Sequence, residues 1–264
     1  MKLRVLTAVV GLVVLLIPLI VGGPLFLALV AAMTVVGFFE LLRMNKIPIL
    51  SIPAALGVSA ALVLLLTGPN LERFNNETTL AWLIVIFMLL LLTTFLSNNR
   101  YHFGAVAFVV FSALYVGIGF HFFYAARIEF GLPYIFFVLL AIWATDTGAY
   151  LFGKKFGKTK LSPHISPNKT IEGATGGLLL ALIVGIVYSL FLPPYESLFV
   201  TIVALLVISI AGQCGDLVES AFKRYYDVKD SGRILPGHGG VLDRFDSLLF
   251  VFPLLYVVSV ILGG

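Results

Sequence analysis

"KDSGRILPGHGGVLDRFDSLLFVFPLLYVVSVIL", residues 229–262, joins two kinds of sequence that seldom meet. Its first nineteen residues contain six Lys, Arg or Asp and four Gly, whereas the last fifteen carry no charge at all. The apolar part decides the fold class, and the polar part decides where chemistry is to be sought. Across all 264 residues the chain is 60% hydrophobic and 11% charged, with 23 Phe and a mean hydropathy of +1.09. No water-soluble core of this size needs so much apolar material.

Nine apolar runs read as membrane spans, near residues 5–22, 25–42, 50–67, 80–97, 104–125, 132–152, 173–193, 197–222 and 247–262. A hydrocarbon core is about 30 Å thick and a helix rises about 1.5 Å per residue. Runs this long and continuous suit helices rather than barrel strands. The sequence therefore predicts an all-α, polytopic integral membrane protein. The first run follows Met-Lys-Leu-Arg but lacks a small-x-small cleavage site before Gly22-Gly23-Pro24, so it reads as a retained helix. Cys214 is the single cysteine, which excludes an intramolecular disulfide.

Lys and Arg flanking the spans resist translocation, so their distribution over alternate loops tests the orientation. With a cytoplasmic N-terminus, fifteen cations fall on one side and Arg73 and Arg127 on the other, which accounts for all 17. The asymmetry predicts an N-in, C-out arrangement. The net charge of +4 then belongs to the cytoplasmic face and gives no reason to expect a nucleic-acid partner.

By polarity the chain divides in two. Residues 1–130 are spans with short connections and no nameable motif, while 131–264 carries polar blocks at 143–177 and 212–246. Both blocks fall on the cytoplasmic side of the predicted topology. Asp146 lies several residues before the end of span six, where an unpaired ionisable group costs several kcal/mol. It reads as a site residue or as a hydrogen-bonded structural carboxyl. Asp216, Ser220, Lys223 and Asp227 follow helical spacing along span eight with Glu219 adjacent, a stripe that suits a site or internal ion pairing.

Asp243 and Asp246, spaced i, i+3, would share the first turn of a helix starting near residues 242–244. They could serve as cap and first-turn acid. Together with a third carboxylate they could equally hold a hard divalent cation while leaving positions open for phosphate. "GHGG" (237–240) offers backbone that can approach a ligand closely, or a plain tight turn, and His238 within it has no single assignable role. The loop 153–172 holds five lysines, including Lys169 among Ser166, Asn168 and Thr170, and Glu172 heads a small-residue helix. Such a loop anchors orientation and touches anionic lipid, and these polar residues also suit phosphate. Acids for Mg²⁺ and cations for phosphate on one membrane face are what phosphoryl or nucleotidyl transfer requires.

"SAFKRYYDVKDSGRILPGHGGVLDRFD" (220–246) resembles, without a gap, the signature of the phosphatidate cytidylyltransferases, or CDP-diacylglycerol synthases. The fixed positions are filled by Ser220, Lys223, Arg224, Lys229, Asp230, His238, Gly239, Gly240, Asp243, Arg244 and Asp246. "DTGAYLFGKKFGK" and "SPNKTIEG" are similar to that family's second block. The resemblance implies an Mg²⁺-dependent enzyme, with or without a second cation, converting CTP and phosphatidate into CDP-diacylglycerol and pyrophosphate at the cytoplasmic face of the cytoplasmic (inner) membrane. It implies Asp216, Asp243 and Asp246 as metal ligands, with Asp146 a further one and Glu219 supporting them. Lys223, Arg224, Asp230 and His238 would form the catalytic set. Lys169, Ser166, Asn168, Thr170, Glu172, Lys229, Arg244, Gly239 and Gly240 would bind substrate. Small-residue helices are compatible with a homodimer. Two other readings are an ion-coupled transporter relaying through Asp146, Asp216 and Glu219, and a different lipid-phosphate transferase; the one-sided clustering of the polar groups and Ser247 after Asp246 disfavour them.

Overall fold

The computed structural model describes residues 2–67, 76–237 and 239–262, so His238 and Arg73 lie outside the described residues. Helices follow each of the nine apolar runs: α1 (Lys2–Val21), α2 (Gly23–Met44), α3 (Ile52–Leu66), α4 (Asn76–Leu96), α5 (Phe103–Glu129), α6 (Gly131–Phe156), α7 (Ile171–Ser189), α8 (Leu198–Tyr225) and α9 (Leu242–Leu262). Seven are long and apolar enough to cross a membrane; α3 and the apolar part of α1, Val9–Val21, are shorter. At about 1.5 Å per residue the 15 residues of α3 fall short of a hydrocarbon core of about 30 Å. Large apolar side chains such as Trp82, Leu92, Phe95 and Leu96 of α4 point outward. A surface of that kind is stable only against lipid. The chain is an integral membrane protein.

The helix ends follow from local chemistry. Ser51 caps α3 by accepting the Ala54 N–H at 3.3 Å, with Pro53 in the first turn. Thr170 caps α7 by accepting the Gly173 N–H at 3.1 Å. Buried hydroxyls within the helices, Thr34, Thr93 and Thr145, donate to carbonyls one turn back, which satisfies these three protons in an apolar setting. The basic loop between α6 and α7 forms a short antiparallel ribbon, β1 (Lys160–Ser162) with β2 (Ser166–Thr170). Strands of three and five residues are too short to show a period of two, so this segment has the sequence pattern of a loop.

Two compact units result. The first comprises residues 1–125 with 226–244, and the second 126–225 with 245–264. The chain thus leaves the first unit after Ala125, returns at Tyr226 and leaves again after Arg244. The segment 226–244, assigned by polarity to the second half, packs with the N-terminal helices. The core of the first unit is built on Phe26, Phe38, Phe120 and Phe123, all fully buried, with Phe26 and Phe123 edge to face at 5.3 Å. The second is built on Ile135, Phe137, Val138, Val251 and Phe252. Tyr134 and Tyr195 share a hydrogen bond of 2.8 Å within it.

In the second unit α6 and α7 pack together most extensively, because glycine faces backbone on both sides. A Cβ on Gly148 would stand 2.8 Å from the Gly176 carbonyl oxygen, and one on Gly177 would stand 2.6 Å from that of Thr145. Without side chains there, the helices close to backbone contact, and the end of α6 bearing Asp146 is held against the start of α7. We predict that Gly177→Ala lowers the unfolding temperature in detergent, by an overpacking cost of roughly 1–3 kcal/mol. Gly11→Ala, where a methyl meets nothing within 4 Å, leaves it unchanged. Equal unfolding temperatures for the two variants would contradict this packing.

Candidate active site

Each unit holds one polar cluster, and the two differ in how their acids are satisfied. In the second unit a cleft of about 300 Å³ is lined by Asp146 from α6, Asn168, Lys169 and Thr170 from β2, Gly173 from α7, and Gln213 and Asp216 from α8. Lys169 Nζ meets Asp216 Oδ2 at 2.5 Å. Ser220 Oγ donates to Asp216 Oδ1 at 3.3 Å from one turn further along α8. Asp246 does not line the cleft but stands near it on α9, where Gly215 removes any side chain from the α8 contact: a Cβ on Gly215 would lie 2.6 Å from the Asp246 carbonyl oxygen. Ser247 Oγ donates to the Gly212 carbonyl at 3.0 Å and fixes the same crossing. Asp246 Oδ1 accepts the Ser247 N–H at 2.7 Å.

Asp146, Asp216 and Asp246 therefore come from three helices into one another's electrostatic field. Among the described residues no three His, Cys, Asp or Glu converge closely enough to hold a metal ion as the side chains stand. The position on Asp216 is taken by the Lys169 ammonium. Lys223, also within range of the Asp246 charge, bonds Glu219 Oε2 at 2.6 Å. Glu219 is buried, at 1% exposure, so this pair sets the direction of the Lys223 ammonium.

Other residues of the sequence-derived set hold the cleft's frame. Glu172 accepts the Lys158 and Thr159 N–H groups at 3.1 Å each, tying the start of α7 to the residues just before β1. Arg224 Nε donates to the Ile165 carbonyl at 3.2 Å and pins that turn to the end of α8. Ser166 lies in β2, outside the cleft lining. Asn168, Lys169 and Thr170 are thereby presented from a ribbon held at both ends.

The first unit holds the other cluster. α9 begins at Leu242, which meets the condition set in sequence for placing Asp243 and Asp246 near the start of one helix. Asp243 Oδ2 accepts three hydrogen bonds from the preceding loop: Ser231 N–H at 2.8 Å, Ser231 Oγ at 2.8 Å and Gly240 N–H at 2.7 Å. Beside it Glu40 of α2, 3% exposed, accepts the Val241 and Leu242 N–H groups at 2.9 Å each and shares the one Ser231 hydroxyl proton with Asp243, its Oε2 lying 3.1 Å from Ser231 Oγ. These donors are the unsatisfied amides at the start of a helix, so Glu40 caps α9 from about 200 residues away in sequence.

The glycines of "GHGG" serve this arrangement. Gly239 adopts φ +84°, and a Cβ there would run into the Asp243 carboxylate; on Gly240 it would run into Glu40 and Ser231. The close backbone approach expected for a ligand is made, within the described residues, to the chain's own carboxylates. Lys229 and Asp230 face a separate cleft of about 450 Å³ with Arg43, Asp227 and Arg233. Arg244 is exposed in the first turn of α9.

Sequence reasoning missed Glu40. A signal existed, since it is the only acid among the first 71 residues and it sits inside an apolar helix. A lone ionisable group at such a position calls for a partner.

A polytopic helical membrane protein with a carboxylate and lysine cleft is thus the class that fold and site define. The chain matches the cytidylyltransferase family over residues 2–262. It is 46% identical over 260 residues to the phosphatidate cytidylyltransferases of Staphylococcus saprophyticus and Staphylococcus haemolyticus, covering 98% of this chain and 99% of each relative. The same enzyme of Staphylococcus aureus is 46% identical over 263 residues, with the same coverage. The protein belongs to the cytidylyltransferase family.

Glu40→Ala should leave the Val241 and Leu242 amides without their acceptor, at roughly 1–3 kcal/mol for each buried donor, while the Ser231 hydroxyl keeps Asp243. The expected result is a lower unfolding temperature and faster proteolysis of the 229–241 loop, with Glu40→Gln intermediate. Unaltered proteolysis in Glu40→Ala would remove the capping role.

Proposed function

We propose that the protein transfers the cytidylyl group of CTP to phosphatidate, giving CDP-diacylglycerol and pyrophosphate, a step of phospholipid biosynthesis. The observation that carries this reading is the second-unit cleft lined by Asp146, Asp216 and Lys169, with Asp246 and Lys223 near enough to act on it electrostatically. Kinship over nearly the full chain with phosphatidate cytidylyltransferases supports the choice of substrates.

The reaction brings two anions together. A phosphate oxygen of phosphatidate attacks the α-phosphorus of CTP, and the bond from that phosphorus to the bridging oxygen of the β-phosphate breaks. The electron pair leaves on pyrophosphate. A phosphate monoester near neutral pH is already ionised, so no strong general base is needed, and charge neutralisation and alignment are the main requirements. Lys169, on a ribbon braced by Glu172 and Arg224, and Lys223, directed by Glu219, supply positive charge. Asn168 and Thr170 line the same cleft, the latter also capping α7.

The donor set fits a magnesium ion in its chemistry. Three carboxylates on separate helices give hard oxygen ligands, and Lys169 balances only one of them directly. Asp146, Asp216 and Asp246 are the residues that would hold the ion, with their side chains drawn closer than they stand here and Lys169 displaced from Asp216. Bound there, Mg²⁺ would offset phosphate charge and polarise the phosphoryl oxygens. Asp243 was also expected among the ligands; its Oδ2 is engaged by three donors, and its role here is to hold the loop. Lys229, Asp230 and Arg244 belong to the first unit's polar face, and His238 keeps its expected catalytic role from the signature alone. The cation asymmetry between loops supports a cytoplasmic-facing site in the inner membrane.

The test is pyrophosphate release by the purified protein in detergent. Release should require CTP, phosphatidate and Mg²⁺ together, and should stop on chelation. Asp216→Asn and Asp246→Asn should each lower turnover by at least about 100-fold, the scale of losing one electrostatic stabiliser at a reacting centre, with unfolding temperature near wild type. Turnover within about tenfold of wild type in both variants would overturn the assignment of these carboxylates.

A further inference from the structure

The cleft of about 450 Å³ in the first unit is bounded by Arg43 at the end of α2 and by residues 227–233. Arg43, Lys229 and Arg233 are all exposed, and none has a side-chain hydrogen bond or ion pair among the described residues. The described ion pairs are Lys169 with Asp216 and Lys223 with Glu219. Asp227 and Asp230 belong to the same short segment, yet neither closes a salt bridge with these cations. Such neighbours pair readily on a flexible loop, where small local rotations suffice.

Here the loop is not free to make those rotations. Ser231, between Lys229 and Arg233, is 5% exposed and bonded to both Glu40 and Asp243. Gly232 packs against the Glu40 carboxylate so closely that a Cβ would overlap it. Glu40 thus faces inward and fixes the wall, while Arg43, three residues on along α2, faces the cleft. Buried Glu40 and half-buried Asp243 hold a loop so that three cations stand apart around a concavity. Asp227 and Asp230 line the same cleft and offset part of that charge; the remaining positive charge favours an anion there.

We propose that this cleft binds a phosphate group, with Arg43, Lys229 and Arg233 as its ligands and Glu40 as its positioning residue. Two guanidinium forks and an ammonium suit tetrahedral phosphate oxygens, which accept paired N–H bonds. The N-terminal half, which carries no nameable motif in sequence, thereby contributes a binding residue through α2. The anion site stands on this geometry alone. Only the identity of the molecule carrying the phosphate, nucleotide or lipid headgroup, rests on the reading as a cytidylyltransferase.

The full-length protein in uncharged detergent is titrated with inorganic pyrophosphate by calorimetry. Arg43→Gln should weaken binding on the order of tenfold, the scale of one hydrogen bond to a charged group. Arg43→Lys should recover part of the loss. Lys46→Ala, which removes a nearby exposed cation outside the cleft, should leave affinity unchanged. Absence of pyrophosphate binding by the wild type, or equal affinity in Arg43→Gln and Lys46→Ala, would overturn the proposal. In turnover, Arg43→Gln should raise one KM by more than it lowers kcat. A rise in KM for CTP marks the nucleotide's phosphates, and a rise for phosphatidate marks the lipid's; both KM values unchanged would contradict the site. Arg43-dependent pyrophosphate binding in a protein that fails to convert CTP and phosphatidate would preserve the anion site and remove the cytidylyl-transfer reading instead.

Discussion

A carboxylate in an apolar chain has to find compensation, and the organisation of this protein follows from where each acid finds it. Desolvating an ionised carboxyl costs several kcal/mol unless charge or hydrogen bonds replace water. In the first unit the replacement is complete and internal: Glu40 and Asp243 are met by backbone amides and by Ser231. In the second unit it is partial: Lys169 meets Asp216, while Asp146, Asp216 and Asp246 act on one another as like charges. The first pattern builds a rigid loop. The second leaves a demand for added positive charge, which is where metal and phosphate chemistry can be placed.

The helical frame serves both patterns. Backbone contact between α6 and α7 through Gly148, Gly173 and Gly177 leaves no room for drift between Asp146 and the ribbon carrying Lys169. The Gly215 contact does the same for Asp216 and Asp246. Small residues in a membrane interior thus do more than permit packing, since they set the spacing of groups whose interaction falls with distance.

Much of this was legible in sequence. Each apolar run became a helix, because lipid leaves the backbone no other open-ended way to satisfy itself. The polar blocks were visible because charge is rare in such a chain, and Asp146, Lys169 and Asp216 were brought together as their placement at span ends suggested. What escaped had a physical reason. Glu40 bonds Val241 and Leu242, and no spacing rule reaches across 200 residues. The ribbon at 160–170 is held by Glu172 and Arg224 rather than by strand propensity. The glycines at 239 and 240 announced a close approach correctly, but the partner was the chain's own carboxylates, which only tertiary structure could reveal.

The central claim is that this charge arrangement directs attack to the α-phosphorus of CTP. Label transfer tests it most directly. Purified protein is given phosphatidate, Mg²⁺ and CTP labelled with ³²P at either the α or the γ position, and the lipid product is separated by chromatography. Label from the α position should enter the lipid, and label from the γ position should leave as pyrophosphate. Entry of γ label into lipid, or no labelled lipid from α-labelled CTP, would contradict the account.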